Sequence, residues 1–320
     1  MPATLSLKRT TILVRDAKRL MEFYRDVLGW RTDYESTMKL SGGLIPCGKP
    51  GDEVLLYIMG GPDKDVGKVG LLEWINPRLP DPHLSNPGPP KYRLGIGDIL
   101  FVADVPDMTA LVKRIEAFPG ARIHSYPKDE TFPDPKGNGV LSYAFMSFFD
   151  PEGFFHETYF RYNRPNPEQF LIRRTTCITR DVARSLAFFN DGLGLATYQD
   201  STMQIEGALP AGKKGDTVRF VVAKCEHDYI GMVGAVQFLR DPLADPGTAT
   251  WDYGIGRAMF VAGCADANAL FAQVKARGVR ITREPFDRTV PLSGGAGTVA
   301  IRSFGFHDPD GFLWEVSQRL

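Results

Sequence analysis

Arg9-Thr10-Thr11-Ile12-Leu13-Val14-Arg15-Asp16 returns downstream as Arg174-Thr175-Thr176-Cys177-Ile178-Thr179-Arg180-Asp181. Self-similarity at so long a period is the mark of a duplicated unit, and it sets the architecture before any single motif is read. The match continues from Phe23-Tyr24-Arg25-Asp26-Val27-Leu28-Gly29 to Phe188-Phe189-Asn190-Asp191-Gly192-Leu193-Gly194. Gly51-Asp52 answers to Gly215-Asp216, Gly67 to Gly231, Gly70 to Gly234, and Gly95-Ile96-Gly97 to Gly254-Ile255-Gly256. Asp150-Pro151-Glu152-Gly153 closes the series against Asp308-Pro309-Asp310-Gly311. The offset falls from 165 residues at Arg9 to 158 at Asp150, so the halves differ by small loop deletions. Asn163-Arg164-Pro165-Asn166-Pro167 reads as a linker, which gives expected domains at 1–163 and 168–320.

Each half carries the same smaller pattern twice. Thr11 to Val14 is a short apolar strand, and Asp16 can cap a helix whose Leu20, Phe23, Tyr24, Val27 and Leu28 share one face before Gly29 stops it. Strand-like runs follow at Val54 to Met59, Ile99 to Ala103, Leu141 to Phe149 and Phe154 to Phe160, with a helical stripe at Leu111, Val112 and Ile115. The unit is β-α-β-β-β and the chain holds four. Proline-dense segments, Asn76 to Lys91 and Asp241 to Thr250, span the members of each pair. Tyr126 to Gly139 and Glu284 to Gly297, rich in glycine and proline, are candidate lids or plain loops.

A chain of 320 residues suits two domains, and 43% apolar with 24% charged residues describes a chain that packs throughout. Basic and acidic residues balance at 38 each, so no overall field favours nucleic acid or an anionic membrane, and a small molecule is the expected partner. Met1 to Val14 lacks the pattern of a signal peptide and no 18-residue apolar run occurs, so a cytoplasmic monomer or homodimer is expected. Cys47, Cys177, Cys225 and Cys264 form no CxxC pair and read as small buried hydrophobes.

Taken in this order, and twice over, the strand-Asp-helix opening and the strands that close on Asp-Pro-Glu-Gly-Phe-Phe-His-Glu and Asp-Pro-Asp-Gly-Phe-Leu-Trp-Glu carry a resemblance. The chain resembles the vicinal oxygen chelate superfamily, which includes glyoxalases, bleomycin-resistance proteins and extradiol dioxygenases, over nearly its whole length. The resemblance implies an α+β fold, with four βαβββ modules paired into two open, cup-shaped mixed β-sheet domains and one cavity expected in each half.

The family places an acidic ligand where Glu157 and Glu315 stand, and its other ligands at the start of the opening strand and of the strand after the linker. Those positions hold Arg9 and Asp98 in the first half and Arg174 and Arg257 in the second. A guanidinium has no lone pair to offer a metal, so three of the six positions cannot ligate and no metal or other cofactor is expected. Alternation sends His156 to the face opposite Glu157. His83, His124, His156, His227 and His307 form no pair at ligand spacing and do not repair the loss.

The substituted residues fit two readings, a buried ion network replacing the metal or a set of groups for acid-base chemistry. In the second, Glu157, Asp98 and Arg9 form a catalytic group of two carboxylates opposite one guanidinium. Arg174, Arg257, Glu315 and Tyr159 then bind substrate, and Phe304, Phe306, Phe312 and Trp314 supply an apolar wall for an aromatic acid. The leading expectation is a metal-independent lyase or isomerase acting on a small hydrophobic or aromatic acid. A sequestering protein of the resistance type comes second, and a metal-dependent dioxygenase or glyoxalase third.

Overall fold

The computed structural model describes residues 5–40, 45–61, 66–79, 92–133, 139–205, 209–224, 229–240, 242–247, 253–291 and 297–320. The first module runs β1 (Leu5–Leu13), α1 (Ala17–Asp26), β2 (Arg31–Lys39), β3 (Glu53–Gly60) and β4 (Lys68–Asn76). The second runs β5 (Ile99–Asp104), α2 (Met108–Ala117), β6 (Arg122–Pro133), β7 (Val140–Phe149) and β8 (Phe155–Arg161). The third holds β9 (Leu171–Ile178), α3 (Val182–Ala187), β10 (Ala196–Gln204), β11 (Thr217–Lys224) and β12 (Met232–Phe238). The fourth holds β13 (Ala258–Cys264), α4 (Ala267–Lys275), β14 (Arg280–Pro291), β15 (Thr298–His307) and β16 (Leu313–Arg319). An aspartate caps each helix start, Asp16, Asp107, Asp181 and Asp266, by accepting a backbone N–H of the first turn.

The modules do not pair within the halves. One eight-stranded sheet has the order β14-β15-β16-β13-β1-β4-β3-β2 and joins the first module to the fourth. The other has the order β10-β11-β12-β9-β5-β8-β7-β6 and joins the second to the third. These are called the outer and inner sheets, after the position of their modules along the chain. The expectation of one cavity per half is therefore corrected, since each cup takes one module from either half. The deciding contacts are the antiparallel pairings of β1 with β13 and of β5 with β9, which join modules distant in sequence.

Between the sheets lies one shared core, with Ile12, Phe23, Phe101, Phe148, Phe260 and Trp314 all buried in it. At its centre the Thr10 and Thr175 hydroxyls meet at 2.7 Å, so the first strands of the two halves face each other back to back. The opposite sheet faces line the cups with separate apolar clusters, one around Val102, Phe149, Phe155 and Phe220 and one around Leu13, Leu72, Trp74 and Val261. Acidic residues of the Asp-Pro turns tie each half across the two sheets. Glu152 accepts the Arg15 backbone N–H at 3.0 Å and its guanidinium at 3.1 Å, and Asp310 accepts the Arg180 N–H at 3.2 Å.

The repeated glycines Gly70 and Gly234 have a packing cause. A Cβ at these positions would lie 2.6 and 2.7 Å from the hydroxyls of Thr11 and Thr176 on the neighbouring strands. The candidate lids are corrected in part, because Tyr126 and Glu284 lie within β6 and β14, which run on to Pro133 and Pro291. Residues 134–138 and 292–296 of those stretches lie outside the described residues, as do most of the proline-dense segments.

Because either half alone leaves both β1 and β5, or β9 and β13, as unpaired edges, residues 1–163 expressed alone should assemble as a dimer that pairs β1 with the second copy's β5. Light scattering at the monomer mass, with native-like thermal unfolding, would contradict this strand order.

Candidate active site

Register builds the same three-residue row in each sheet. Arg9 lies opposite Val261, which lies beside Glu315, and in the inner sheet Arg174 lies opposite Val102, which lies beside Glu157. Residues aligned across a ladder point to one face, so arginine and glutamate flank a valine on the floor of each cup. Arg9 therefore belongs with Glu315, and Arg174 with Glu157. The catalytic group of Arg9, Asp98 and Glu157 expected from sequence is not assembled, and neither is the anion clamp of Arg174 and Arg257.

Asp98 and Arg257 stand four residues before the central valines, at the strand ends. The Asp98 carboxylate accepts the Gly95 N–H at 2.7 Å, and Arg257 donates to the Gly97 carbonyl of the inner-sheet module at 2.6 Å. Both bond to the Gly95–Gly97 turn that precedes β5 and lie outside the rows. Phe304, Phe306, Phe312 and Trp314 belong to the shared core rather than to a cup wall, because alternation turns Trp314 away from the face of Glu315. The same alternation buries His156 behind Glu157, stacked on Phe148 at 4.7 Å. His307 binds the Gly311 carbonyl through Nδ1, and His83 and His227 lie outside the described residues.

The two rows share residue types but not bonding. In the outer cup the Arg9 Nε donates to Thr11 Oγ1 at 3.1 Å, and Arg288 of β14 pairs with Glu315. In the inner cup the equivalent atoms, Arg174 Nε and Thr176 Oγ1, are buried without hydrogen bonds among the described residues. The Arg174 guanidinium instead lies over the Phe220 ring, 4.6 Å from its centroid, in a cation–π contact. Glu157 is buried, and its one hydrogen bond among the described residues comes from the Tyr159 hydroxyl at 3.4 Å.

A single exchange explains much of the difference. Glu130 of β6 stands at the repeat position of Arg288, with the 158-residue offset that also relates Glu157 to Glu315. Arg288 neutralises its glutamate, whereas Glu130 opposes its own. Burial is the largest influence raising the Glu157 carboxyl above the ordinary glutamate range, and Glu130 adds to it against the pull of Arg174. Burial likewise lowers Arg174, with neighbouring Arg173 acting in the same direction. Arg173 is itself held by Asp104 at 3.0 Å, which leaves Arg174 as the cation facing Glu157. Tyr143 and Tyr159 complete the wall, and burial raises both phenols. Glu130, Tyr143, Phe220 and Arg288 were not singled out from sequence, although aligning the repeats at the closing offset sets 130 against 288.

Neither row suits the metal that the resemblance implies. Each offers one carboxylate beside a guanidinium, and among the described residues no group of three or more His, Cys, Asp or Glu is placed to hold an ion. No helix among them is long and apolar enough to cross a membrane.

Fold and site together define a tandem protein of paired βαβββ modules whose cup floors carry arginine and glutamate. The Glyoxalase/Bleomycin resistance protein/Dioxygenase superfamily model matches residues 6–158 and 171–316, and the chain belongs to that superfamily. It is 34% identical over 73 residues to a lactoylglutathione lyase of Arabidopsis thaliana, a match that spans 23% of this chain and 23% of that protein. The fold is that of glyoxalase I from Zea mays, with a TM-score of 0.62 at 16% identity over 99% of this chain and 93% of that one. A putative dioxygenase from Bacillus subtilis matches with a TM-score of 0.55 at 15% identity, over 99% and 86% of the two chains.

The asymmetry should register in stability. Arg288→Gln removes the ion-pair partner of Glu315, leaving Arg9 across Val261 as the nearer cation of the row, and should cost about 1 kcal/mol, discounted from a fully buried pair because Arg288 is partly exposed. Glu130→Gln removes a repulsion and should cost less than about 0.5 kcal/mol. Denaturant titration of the two variants measures the contrast.

Proposed function

We propose that the inner cup is the active site of a metal-independent lyase or isomerase that moves a proton on a small hydrophobic or aromatic acid. The observation that carries this reading is the buried Nε of the Arg174 guanidinium, which has no hydrogen bond among the described residues and is set across Val102 from a weakly bonded buried glutamate. A buried donor left without a hydrogen bond is costly, and a substrate carboxylate or enolate oxygen would supply the missing acceptor. Glu157 removes a proton from the carbon next to the carbonyl or carboxyl group, and Arg174 stabilises the negative charge that develops on oxygen. The proton then returns to a different carbon of the same molecule, or a leaving group departs with the electron pair. Tyr159 and Phe220 hold the substrate, while Asp98 keeps the turn before β5 in place.

The similarity to a lactoylglutathione lyase supports lyase chemistry as a class. Metal independence is supported by the donor set, in which arginine takes the place of nitrogen ligands. We expect purified protein to contain no stoichiometric divalent metal and to keep its thermal midpoint when treated with chelator. About one iron, manganese or zinc per chain by elemental analysis would overturn that part of the reading.

Glu157→Gln should lower turnover by about a hundredfold or more while changing substrate affinity by less than about tenfold. As a base Glu157 must be ionised, so kcat/KM should rise with pH along a limb placed above the ordinary glutamate range. Glu130→Gln should move that limb to lower pH, because Glu130 contributes to the raised value. A ligand that binds tightly without conversion, and equally well to Glu157→Gln, would favour sequestration.

A further inference from the structure

We propose that the turn formed by residues 308–311 is a proton-held clasp between the two sheets, in which Asp310 is a neutral acid that donates to Ser185 and lets go when it ionises. The inference is independent of the chemistry assigned to the inner cup.

The proton is counted from the bonds. Asp310 is 2% exposed and sets the last turn of the outer sheet against the start of α3, which belongs to the third module and so to the inner sheet. Ser185 of that helix places its Oγ 2.6 Å from Asp310 Oδ2 and 2.9 Å from the Asp181 carbonyl oxygen. A hydroxyl has one proton to give, and a carbonyl has none. The contact with Asp181 is a bond only if Ser185 donates there, so both contacts are bonds only if Asp310 supplies a proton of its own. Asp308 has no such role open. Its Oδ1 accepts the N–H groups of Asp310 and Phe312, each at 3.0 Å, and its Oδ2 accepts Trp314 Nε1 at 3.1 Å. None of these donors can receive a proton.

Comparison of the repeats shows why a proton is needed here. In the first half the matching carboxylates are Asp150 and Glu152. Arg15 Nη1 donates to Glu152 at 3.1 Å, and the His156 ring lies 3.4 Å from Asp150. Trp314 stands at the position of His156 and Ser185 at that of Leu20, so the second half has a neutral indole for a basic ring and a hydroxyl for an apolar side chain. Arg180, the counterpart of Arg15, turns its Nε to Asp245 at 2.7 Å and meets the turn through the Asp310 backbone carbonyl at 3.3 Å. Arg184, half exposed, stands 3.7 Å from Asp310 Oδ1 and donates to the Pro309 carbonyl at 2.8 Å. Cys177 of β9 lies within electrostatic reach of both aspartates, and His307 binds the Gly311 carbonyl. Burial holds the thiol well above its usual range and the imidazole below its own, so neither brings charge at neutral pH.

Two carboxyls buried side by side do not both ionise at low cost. Burial and then the neighbouring Asp310 raise Asp308, and burial raises Asp310. Burial lifts Glu152 as well, to about 7, against the pull of Arg15. Unfolded aspartates release their protons above about pH 4, so folding at higher pH takes one up. The stability this gives is full below the unfolded value and is lost as pH rises through the raised folded one. Once Asp310 ionises, two buried charges repel across the turn, and the start of α3 loses its hold on the outer sheet.

NMR of the full chain with its aspartate carboxyl carbons labelled tests this, and the labelling leaves Glu152 silent. One titration step should lie about two pH units or more above the ordinary aspartate value, and it should be absent from Asp310→Asn, whose amide keeps the shape of the acid and a donor for Ser185. Relative to the unaltered chain, the thermal midpoint of Asp310→Asn should gain about 3 °C or more between about pH 5 and about pH 8.5, because the variant has no proton to lose. The proposal is overturned if no aspartate titrates above the ordinary range, if Asp310→Asn removes no high step, or if the midpoint difference is the same at both pH values.

Discussion

The antiparallel pairing of β1 with β13, and its counterpart between β5 and β9, is the constraint on which the rest of the structure depends. A four-stranded module leaves its first strand as a bare edge with unpaired N–H and C=O groups, and closing that edge requires another module. Which module closes it decides which arginine meets which glutamate. Once β1 takes β13, Arg9 is committed to Glu315 across Val261, and Arg174 is left for Glu157. Each row then holds one arginine and one glutamate, with Asp98 and Arg257 left outside it. The neighbours change completely.

This explains which features could be read from the sequence. Module content was legible because it is local: capping aspartates, the Leu20 and Phe23 stripe, and the alternation that separates His156 from Glu157 all act within a few residues. Strands β6 and β14 were harder to see, since register shifts break their alternation and their glycine- and proline-rich ends read as loop. The order of modules in space was not legible, because pairing within a half and pairing between halves satisfy the same edges with the same sequences. Asp98 and Arg257 were placed by their proximity to the repeat motif. Their distance from the rows became visible only through register, four residues along the strand from Val102 and Val261.

Duplication here has left one floor in two electrostatic settings. The Arg-Val-Glu row is preserved in both sheets, yet the residue facing the glutamate from the third edge-ward strand has opposite charge, Glu130 in one cup and Arg288 in the other. Burial is the main influence raising the Glu157 carboxyl, and Glu130 adds to it where Arg288 in the other cup pairs with its glutamate.

The strand order also has a consequence for biosynthesis. The modules are nested like brackets, with the second and third inside the first and fourth, so the inner sheet has all its strands once the chain has emerged as far as Phe238. The outer sheet must wait for Arg319, and β1 remains an open edge on a ribosome-bound chain at least until β13 has emerged at Cys264. Long-range strand pairing is slow, and such an edge is exposed to wrong partners while it waits. Sheet assembly from the middle outward makes the inner cup the first part of the molecule to be complete and leaves the outer cup to be closed by the last module.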